Sequence, residues 1–277
     1  MSAGRRGGWL AAHSLLTLAF LWVPIAILIA FSFNTSRVNV VWQGFTLDWY
    51  GELFRDVEVL RATRNTLVVA AASTLLSTIL GTMAAFALTR HRFPGRRIME
   101  ALLYVPVVLP EIVLGISLLA TFRLLSMNLG LLTVILSHVT FCTPFVALVV
   151  RARLHGLDPS LERAAMDLGA DEWTTFRRVT LPLVLPGIVA GALLALTVSI
   201  DDFIITFFTA GPGSTTLPLH VFSMVKFGVS PKINALSTLM LIITLGLAWG
   251  SDRIRSRSAG RDGAAEAGPA PYLDLTR

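Results

Sequence analysis

Three acidic residues interrupt the apolar runs of this 277-residue chain. Glu111 directly follows Pro110 within one run, and Asp201 and Asp202 are adjacent at the end of another. A carboxylate in a membrane-spanning run is costly and is usually functional or paired, so we predict that these residues line a solute pathway. Adjacent side chains on a helix point apart, so only one Asp can face that pathway squarely. The alternatives are a buried ion pair or a protonated core acid for Glu111, and a helix end that reaches water for the Asp pair.

A charged, amphipathic segment between two apolar runs, residues 161–186, carries a second candidate site. Asp158 before Pro159 is typical of a helix start, and Gly169 is typical of a helix end. Asp171 can cap a second short helix. These signals predict two short helices at a sharp angle, which form a compact knob at the membrane surface. The segment also has a spacing that a hydrophobic pattern does not explain: Ala164 and Ala165, then Gly169, Val179, Leu181 and Pro182.

The elements that must position these residues are helices in a membrane. The chain is 54% hydrophobic and 14% charged, whereas soluble domains carry about 25% charged residues. Strands are a poor interpretation, because the apolar residues do not alternate with polar ones. We predict an all-α fold, a polytopic membrane bundle of six transmembrane helices, since a helical span needs roughly 20 residues. The six charge-poor runs are 15–33, 65–89, 101–122, 124–150, 179–200 and 233–250.

The basic residues are distributed asymmetrically along the chain. Of the 23 Lys and Arg residues, 16 fall in the N-terminus, in the loops near 90–97 and 151–178, and in the C-terminal tail. Cytoplasmic segments are enriched in Lys and Arg, so this asymmetry predicts that both termini are cytoplasmic. Topology explains the basicity, and we reject a nucleic-acid partner. We predict a transmembrane domain over residues 1–255, with an inner loop at 151–182, and a disordered cytoplasmic tail at 256–277.

The chain lacks the residue patterns of several catalytic classes. Neither Lys226 nor Lys232 lies in a GxxxxGK[ST] phosphate-binding loop, so we expect no ATP hydrolysis by this chain. The single cysteine, Cys142, excludes an intrachain disulfide and a CxxC site. No second ligand is spaced to join His138 at a metal, so we predict a hydrogen-bonded core histidine and expect no metal or other cofactor. The Gly-x-Gly-Asp context of intramembrane aspartyl proteases does not occur either, which disfavours a membrane enzyme.

The spacing in the inner segment resembles the loop by which permease subunits of ABC importers dock on their ATPase. That loop has the form Glu-Ala-Ala, three residues, Gly, nine residues, Ile, one residue, Leu-Pro, and Val179 stands here at the Ile position. Arg163 occupies the Glu position, and Glu162 precedes it. These two side chains point about 100° apart on a helix, so Glu162 cannot simply take over the contact. The resemblance implies that the ATPase-coupling residues are Glu162, Arg163, Ala164, Ala165, Asp167, Gly169, Leu181 and Pro182.

Four further segments make the resemblance more specific: 42–50, 137–146, 199–208 and 223–238. Together they are similar to the second (C-type) permease subunit of spermidine/putrescine importers. The resemblance implies a type I importer permease in the bacterial inner membrane. It also implies four kinds of contact, namely a homologous permease subunit, two copies of an ABC ATPase subunit, a periplasmic polyamine-binding protein and membrane lipid.

This substrate class agrees with the candidate pathway residues. Polyamines carry several ammonium groups, and both carboxylates and aromatic faces attract ammonium. We therefore predict that Glu111, Asp201, Asp202 and Trp49 line the route of a polyamine. Two alternatives remain, a permease of the same fold for another small organic solute and a membrane scaffold that transports nothing.

Overall fold

The computed structural model describes residues 3–36, 41–226, 228 and 230–266. Within these ranges the regular structure is helical, apart from one antiparallel bridge between Asn34 and Phe45. The helices, in chain order, are α1 (Ala3–Phe31), α2 (Asp48–Leu53), α3 (Val57–Arg90), α4 (Arg96–Val108), α5 (Glu111–Leu124), α6 (Leu131–His155), α7 (Ser160–Asp167), α8 (Glu172–Thr175), α9 (Leu181–Asp201), α10 (Ile204–Thr209), α11 (Leu217–Lys226) and α12 (Pro231–Glu266), with a π-helical turn (Phe176–Thr180) between α8 and α9.

The predicted helical class is confirmed, and several of the predicted spans are long helices. Among the described residues, four stretches are long and apolar enough to cross a membrane: Ala12–Phe31, Val57–Arg90, Leu131–His155 and Glu172–Asp201. Helices α4 and α5 pass the same test only as a bent pair, and the apolar part of α12, Pro231–Gly246, is shorter than a full span. The count of six spans and the cytoplasmic position of both termini stay predictions.

The predicted span 101–122 is not a single straight helix, because α4 and α5 meet at an angle of 116°. Leu109 is extended, with φ −71° and ψ 139°. A residue before proline is driven out of the α region, and Pro110 has no N–H to continue the helix. Glu111 is consequently the first residue of a new helix and does not lie in the middle of an old one.

The chain forms two compact units, and the first comprises Met1–Thr63 and Leu219–Ile243. Its loop after α1 is held by polar contacts around Asn34, whose side chain accepts the backbone N–H of Gln43 at 2.9 Å. The Trp49 indole N–H donates to the Asn34 carbonyl at 2.7 Å. Lys232, near the start of α12, donates to the Asp56 carboxylate at 2.5 Å, and this hydrogen bond lowers the pKa of Asp56.

The second unit comprises Arg64–Pro218 and Thr244–Arg277, and its core lies between α6 and α9. Small residues let the backbones approach, and Gly187 and Gly191 lie about one turn apart on α9. A Cβ on Gly187 would lie 2.7 Å from Arg153 Cβ, and one on Gly191 would lie 3.2 Å from Val146 Cγ1. The buried core side chains of this unit include Ala85, Leu114, Phe141, Cys142, Val146, Val150, Leu154, Val184, Ala195 and Ile205.

Helix α12 continues to Glu266 and therefore includes the first part of segment 256–277, for which the sequence predicts disorder. Residues 267–277 lie outside the described residues. The division of the chain near residue 255 stays a prediction.

Candidate functional site

An acidic cavity lies in the second unit, where the α4–α5 break and the α9–α10 break contribute to one wall. Its volume is about 460 Å³. Unwound backbone at membrane depth is tolerated where it is buried in protein or lines a water-filled cavity, and this site offers such a cavity. The lining residues are Glu111, Phe141, Thr197, Val198, Asp201, Asp202, Phe203 and Ile204.

Two of the predicted pathway carboxylates, those of Glu111 and Asp201, are exposed in this cavity. Within the part of the chain that the structure describes, neither has a hydrogen-bond or ion-pair partner. Asp201 is the last residue of α9, at the end of a helix where the backbone dipole is already negative. The negative end of the helix dipole and the two carboxylates therefore have the charge that attracts a cation.

The neighbouring Asp202 has a different environment, because its side chain is only 4% exposed. Its carboxylate accepts the backbone N–H groups of Ile205, at 3.2 Å, and Thr206, at 2.9 Å. It also accepts the Thr206 hydroxyl at 2.8 Å. These two amides belong to the first turn of α10, so Asp202 satisfies donors that a helix start leaves free. The prediction that the two Asp side chains point apart agrees with this arrangement.

His138 extends the Asp202 cluster into the protein core. The ring is 2% exposed, with Nε2 3.2 Å from Asp202 Oδ2 and 2.9 Å from Thr206 Oγ1. The Thr206 hydroxyl gives its only proton to Asp202, so its oxygen must accept and Nε2 must carry a proton. Nδ1 lies 2.7 Å from Ser199 Oγ, which is 3.0 Å from Ser73 Oγ. The predicted hydrogen-bonded core histidine is confirmed.

The composition of the cavity suits an organic cation. Phe141 and Phe203 line the cavity together with the carboxylates of Glu111 and Asp201, and ammonium groups are attracted both to aromatic rings and to carboxylates. Among the described residues, no group of three or more His, Cys, Asp and Glu side chains is placed to hold a metal ion. Trp49 belongs to the other compact unit and its indole N–H is engaged with Asn34, so its pathway role stays a prediction.

The second candidate site is the segment between α6 and α9, residues 158–182. At two capping residues it has the local geometry that its sequence predicts. Gly169 follows α7 with φ +90°, a conformation that side chains with a Cβ rarely adopt. The Asp171 carboxylate accepts the Thr174 backbone N–H at 3.1 Å and begins α8. Hydrogen bonds from Ser160 and Thr174 lower the pKa values of Asp158 and Asp171 respectively.

The second short helix is not a separate element, which corrects the prediction of two independent helices. Helix α8 runs through the π-helical turn directly into α9, so Glu172–Asp201 is one helix of 30 residues. Trp173 stacks on Phe176 at this turn, with ring centroids 5.7 Å apart. Leu181 is half-buried and Pro182 is exposed at the start of α9.

Glu162 is an internal anchor of the segment. Its carboxylate receives two hydrogen bonds from Arg90, at the end of α3, both at 2.7 Å. It also accepts the hydroxyl of Thr180, in the π-helical turn, at 2.7 Å. One carboxylate thus ties α7 to α3 and to the base of α9. Its predicted direct contact with an ATPase stays a prediction, and Arg163 is exposed beside it.

The exposed surface of the segment is rich in large apolar side chains. Leu168 is 90% exposed, and Leu161, Met166 and Trp173 are also exposed. Ala164 and Asp167 are exposed, whereas Ala165 is half-buried. The role of this surface in docking an ATPase stays a prediction. A groove of about 270 Å³ beside it is lined in part by Phe86, Met166 and Phe176.

Sequence reasoning missed the partners of Glu162 and of His138. Arg90 and Thr180 were not predicted to bind Glu162, and Thr206, Ser199 and Ser73 were not predicted to surround His138. One signal was available for the second group, because a histidine in an apolar span needs polar partners.

Known proteins match this chain over most of its length. The family model of binding-protein-dependent transport system inner membrane components matches residues 77–256. The spermidine/putrescine transport system permease protein PotC of Escherichia coli (strain K12) is 42% identical over 259 residues, 93% of this chain and 97% of PotC. The putrescine transport system permease protein PotI of the same strain is 45% identical over 243 residues, 85% of this chain and 86% of PotI.

Among solved structures, a chain of a bacterial ABC transporter that imports the acidic polysaccharide alginate has a TM-score of 0.70 and 18% identity. The match covers 91% of this chain and 96% of that chain. At that identity the likeness shows a shared fold alone.

Proposed function

We propose that this chain, which belongs to the family of binding-protein-dependent transport system inner membrane components, carries polyamines through the acidic cavity. The chain is a permease subunit of an ABC importer in the inner membrane, and ATP hydrolysis belongs to a separate subunit. Its substrate and its individual partners are the matters proposed.

The observation that carries the proposal is the pair of uncompensated carboxylates, Glu111 and Asp201, in one cavity. Polyamines present several ammonium groups along a flexible chain, so two separate carboxylates can attract two of them. The names of the relatives PotC and PotI point to the same substrate class. The fold by itself does not decide the substrate, because the alginate transporter shares it and imports an acidic polysaccharide.

The carboxylates lower the free energy of a cation that leaves water, and the phenylalanine faces add further attraction. Transport requires this attraction to be weak enough for release. The exposure of both carboxylates to the open cavity meets that requirement, because water screens an exposed charge.

The 158–182 segment is proposed to receive the driving force. Its exposed apolar side chains would pack against an ABC ATPase subunit, of which the complete importer contains two copies. The internal contacts of Glu162 would carry a displacement of α7 to α3 and α9. A homologous permease subunit would complete the pathway, a periplasmic polyamine-binding protein would deliver the substrate, and membrane lipid would surround the spans.

The test is uptake by proteoliposomes that contain the complete importer and binding protein. Labelled spermidine and putrescine should accumulate when ATP is supplied on the side of the ATPase subunits. They should not accumulate when a non-hydrolysable analogue replaces ATP. Unlabelled polyamine should compete, whereas an amino acid without extra amino groups should not. ATP-driven uptake of an unrelated solute, with no polyamine uptake, would favour the same fold acting on another small organic solute. No uptake of any solute presented by the binding protein would contradict the proposal.

A further inference from the structure

We infer that Asp202 is a positioning residue and does not bind the substrate. With His138 and Thr206 it holds the break between α9 and α10 so that Asp201 and Glu111 face one cavity. The inference rests on the proposed function for the identity of the cation, but its geometric part does not depend on it. The cavity then presents two free carboxylates to a cation, although three acidic residues line it.

The Asp202 carboxylate already has protein partners on both oxygens. Both of its oxygens are engaged by the first turn of α10, and Oδ2 also lies within 3.2 Å of the His138 ring. To bind an ammonium group, Asp202 would have to give up contacts that no water could replace, because the side chain is 4% exposed. Losing a partner of a buried polar group costs more than forming an exposed ion pair yields.

The contacts of Asp202 also fix the backbone between α9 and α10. Asp202 is extended, with φ −65° and ψ 128°, so α9 ends at Asp201. The free amides of Ile205 and Thr206 need an acceptor at this point, and the Asp202 carboxylate provides one locally. The break therefore persists, and Asp201 remains the terminal helical residue at the cavity wall.

The break between α9 and α10 is also linked to Glu111 through helix packing. Helix α10 packs on α5, and a Cβ on Gly115 would lie only 2.7 Å from a ring carbon of Phe208. Glu111 begins α5, one turn before Gly115. A shift of α10 therefore displaces the helix that carries Glu111. Asp202 in this way helps to position the carboxylates of both Asp201 and Glu111.

Thr206 offers a test that leaves Asp202 and Glu111 in place. It is fully buried and cannot touch a solute in the cavity. Thr206→Val preserves the shape but removes the hydroxyl that joins Asp202 to His138, and Thr206→Ser is the matched control that keeps it. The reporter is Asp201→Cys in a Cys142→Ala background, labelled in membrane vesicles by a cationic thiol reagent. The Cys142 thiol is buried, and its removal leaves one reactive cysteine.

The labelling rate of the reporter should change by at least about fivefold with Thr206→Val, as expected for a lost buried hydrogen bond. It should stay within about twofold with Thr206→Ser. Equal rates in all three backgrounds would overturn the inference. Thermal unfolding of each variant is recorded in parallel, and a Thr206→Val chain that unfolds is replaced by His138→Gln, which tests the same cluster from its other side.

Uptake kinetics provide the second arm. Asp202→Asn and His138→Gln should each impair uptake, and the double variant should be no worse than the more damaged single variant, because the residues act as a unit. Additive losses in the double variant would indicate that Asp202 binds the substrate directly. The same conclusion would follow if Asp202→Asn impaired uptake and His138→Gln did not. Labelling uses no polyamine, so absence of polyamine uptake by the wild type would refute the proposed function and leave the positioning result intact.

Discussion

The acidic cavity and the 158–182 segment distribute charge in opposite ways. In the cavity, Glu111 and Asp201 are exposed and have no polar partner among the residues that the structure describes. In the segment, the acid Glu162 is held by Arg90 and Thr180, while apolar side chains such as Leu168 are exposed. A cation pathway needs free charge, whereas a docking surface needs apolar area and a rigid support. The contrast supports the proposal that the cavity attracts the cation and that the segment transmits force from the ATPase.

Each region also contains two adjacent charged residues with different environments. Asp202 is buried next to the exposed Asp201, and Glu162 is anchored next to the exposed Arg163. In both pairs one residue maintains the local structure and its neighbour faces outward. A role inferred for one residue therefore does not transfer to the next one in the chain.

The largest effect is expected from Gly169→Val, which attacks the segment and spares the cavity. The glycine has φ +90°, and a Cβ there meets no atom within 4 Å. The damage should consequently come from backbone strain of about 1–2 kcal/mol and not from a clash. Uptake and co-purification with the ATPase should both fall roughly five- to thirtyfold, the factor that this strain energy gives. Gly169→Asn, which tolerates a positive φ, should retain most activity, and normal docking by the valine variant would show that the segment is misassigned.

Glu111→Gln should produce the next largest effect, in the cavity alone. The amide keeps the shape and removes the charge, so polyamine uptake should fall about tenfold, the loss expected for one charged contact. The complex should remain assembled in size-exclusion chromatography. Glu58→Gln, which neutralises an exposed acid that pairs with Arg61, is the control and should stay within about twofold of the wild type. Lost assembly with normal specific uptake would indicate a structural role for Glu111.

Glu162→Gln should have a moderate effect that distinguishes the two residues of the segment. The Arg90 pair is partly exposed, at 30% and 21% for its two side chains, so its loss should cost about 1 kcal/mol and lower ATP-coupled uptake roughly fivefold. Arg163→Glu restores the Glu-Ala-Ala pattern and should not impair uptake. Both variants are compared by the amount of polyamine taken up per ATP hydrolysed. The reverse order of effects would mean that Arg163 and not Glu162 supports the coupling.

Asp56→Asn should have the smallest effect, because Asp56 lies outside both regions. Its hydrogen bond with Lys232 lowers the pKa of the carboxyl below its ordinary value of 3.8. The stabilisation is therefore complete above that value and disappears as the pH falls through the lowered pKa. The variant should melt about 2 °C lower than the wild type at pH 7, with a difference that closes in acid. A difference that is constant with pH would show that the ion pair is not its source.

Local rules predicted the local features of both regions. The conformation of Gly169 and the cap at Asp171 follow from backbone sterics and capping. The separation of Asp201 from Asp202 has another cause, because Asp202 leaves α9 in an extended conformation. The bend at Pro110 was only partly predicted, because proline marks a disruption and packing decides how far the helices turn. The contact of Arg90 with Glu162 joins residues 72 apart in sequence, and that of Ser73 with Ser199 joins residues 126 apart. Only the folded chain brings those groups together.

The central claim is that Glu111 and Asp201 are the two carboxylates that this chain offers to the transported cation. The most direct measurement is spermidine uptake by the reconstituted importer with Glu111→Gln, with Asp201→Asn and with both changes. Each single change should raise KM about tenfold and the double change about a hundredfold, at unchanged ATPase co-purification, if each charge contributes independently. An unchanged KM in the double variant would contradict the account.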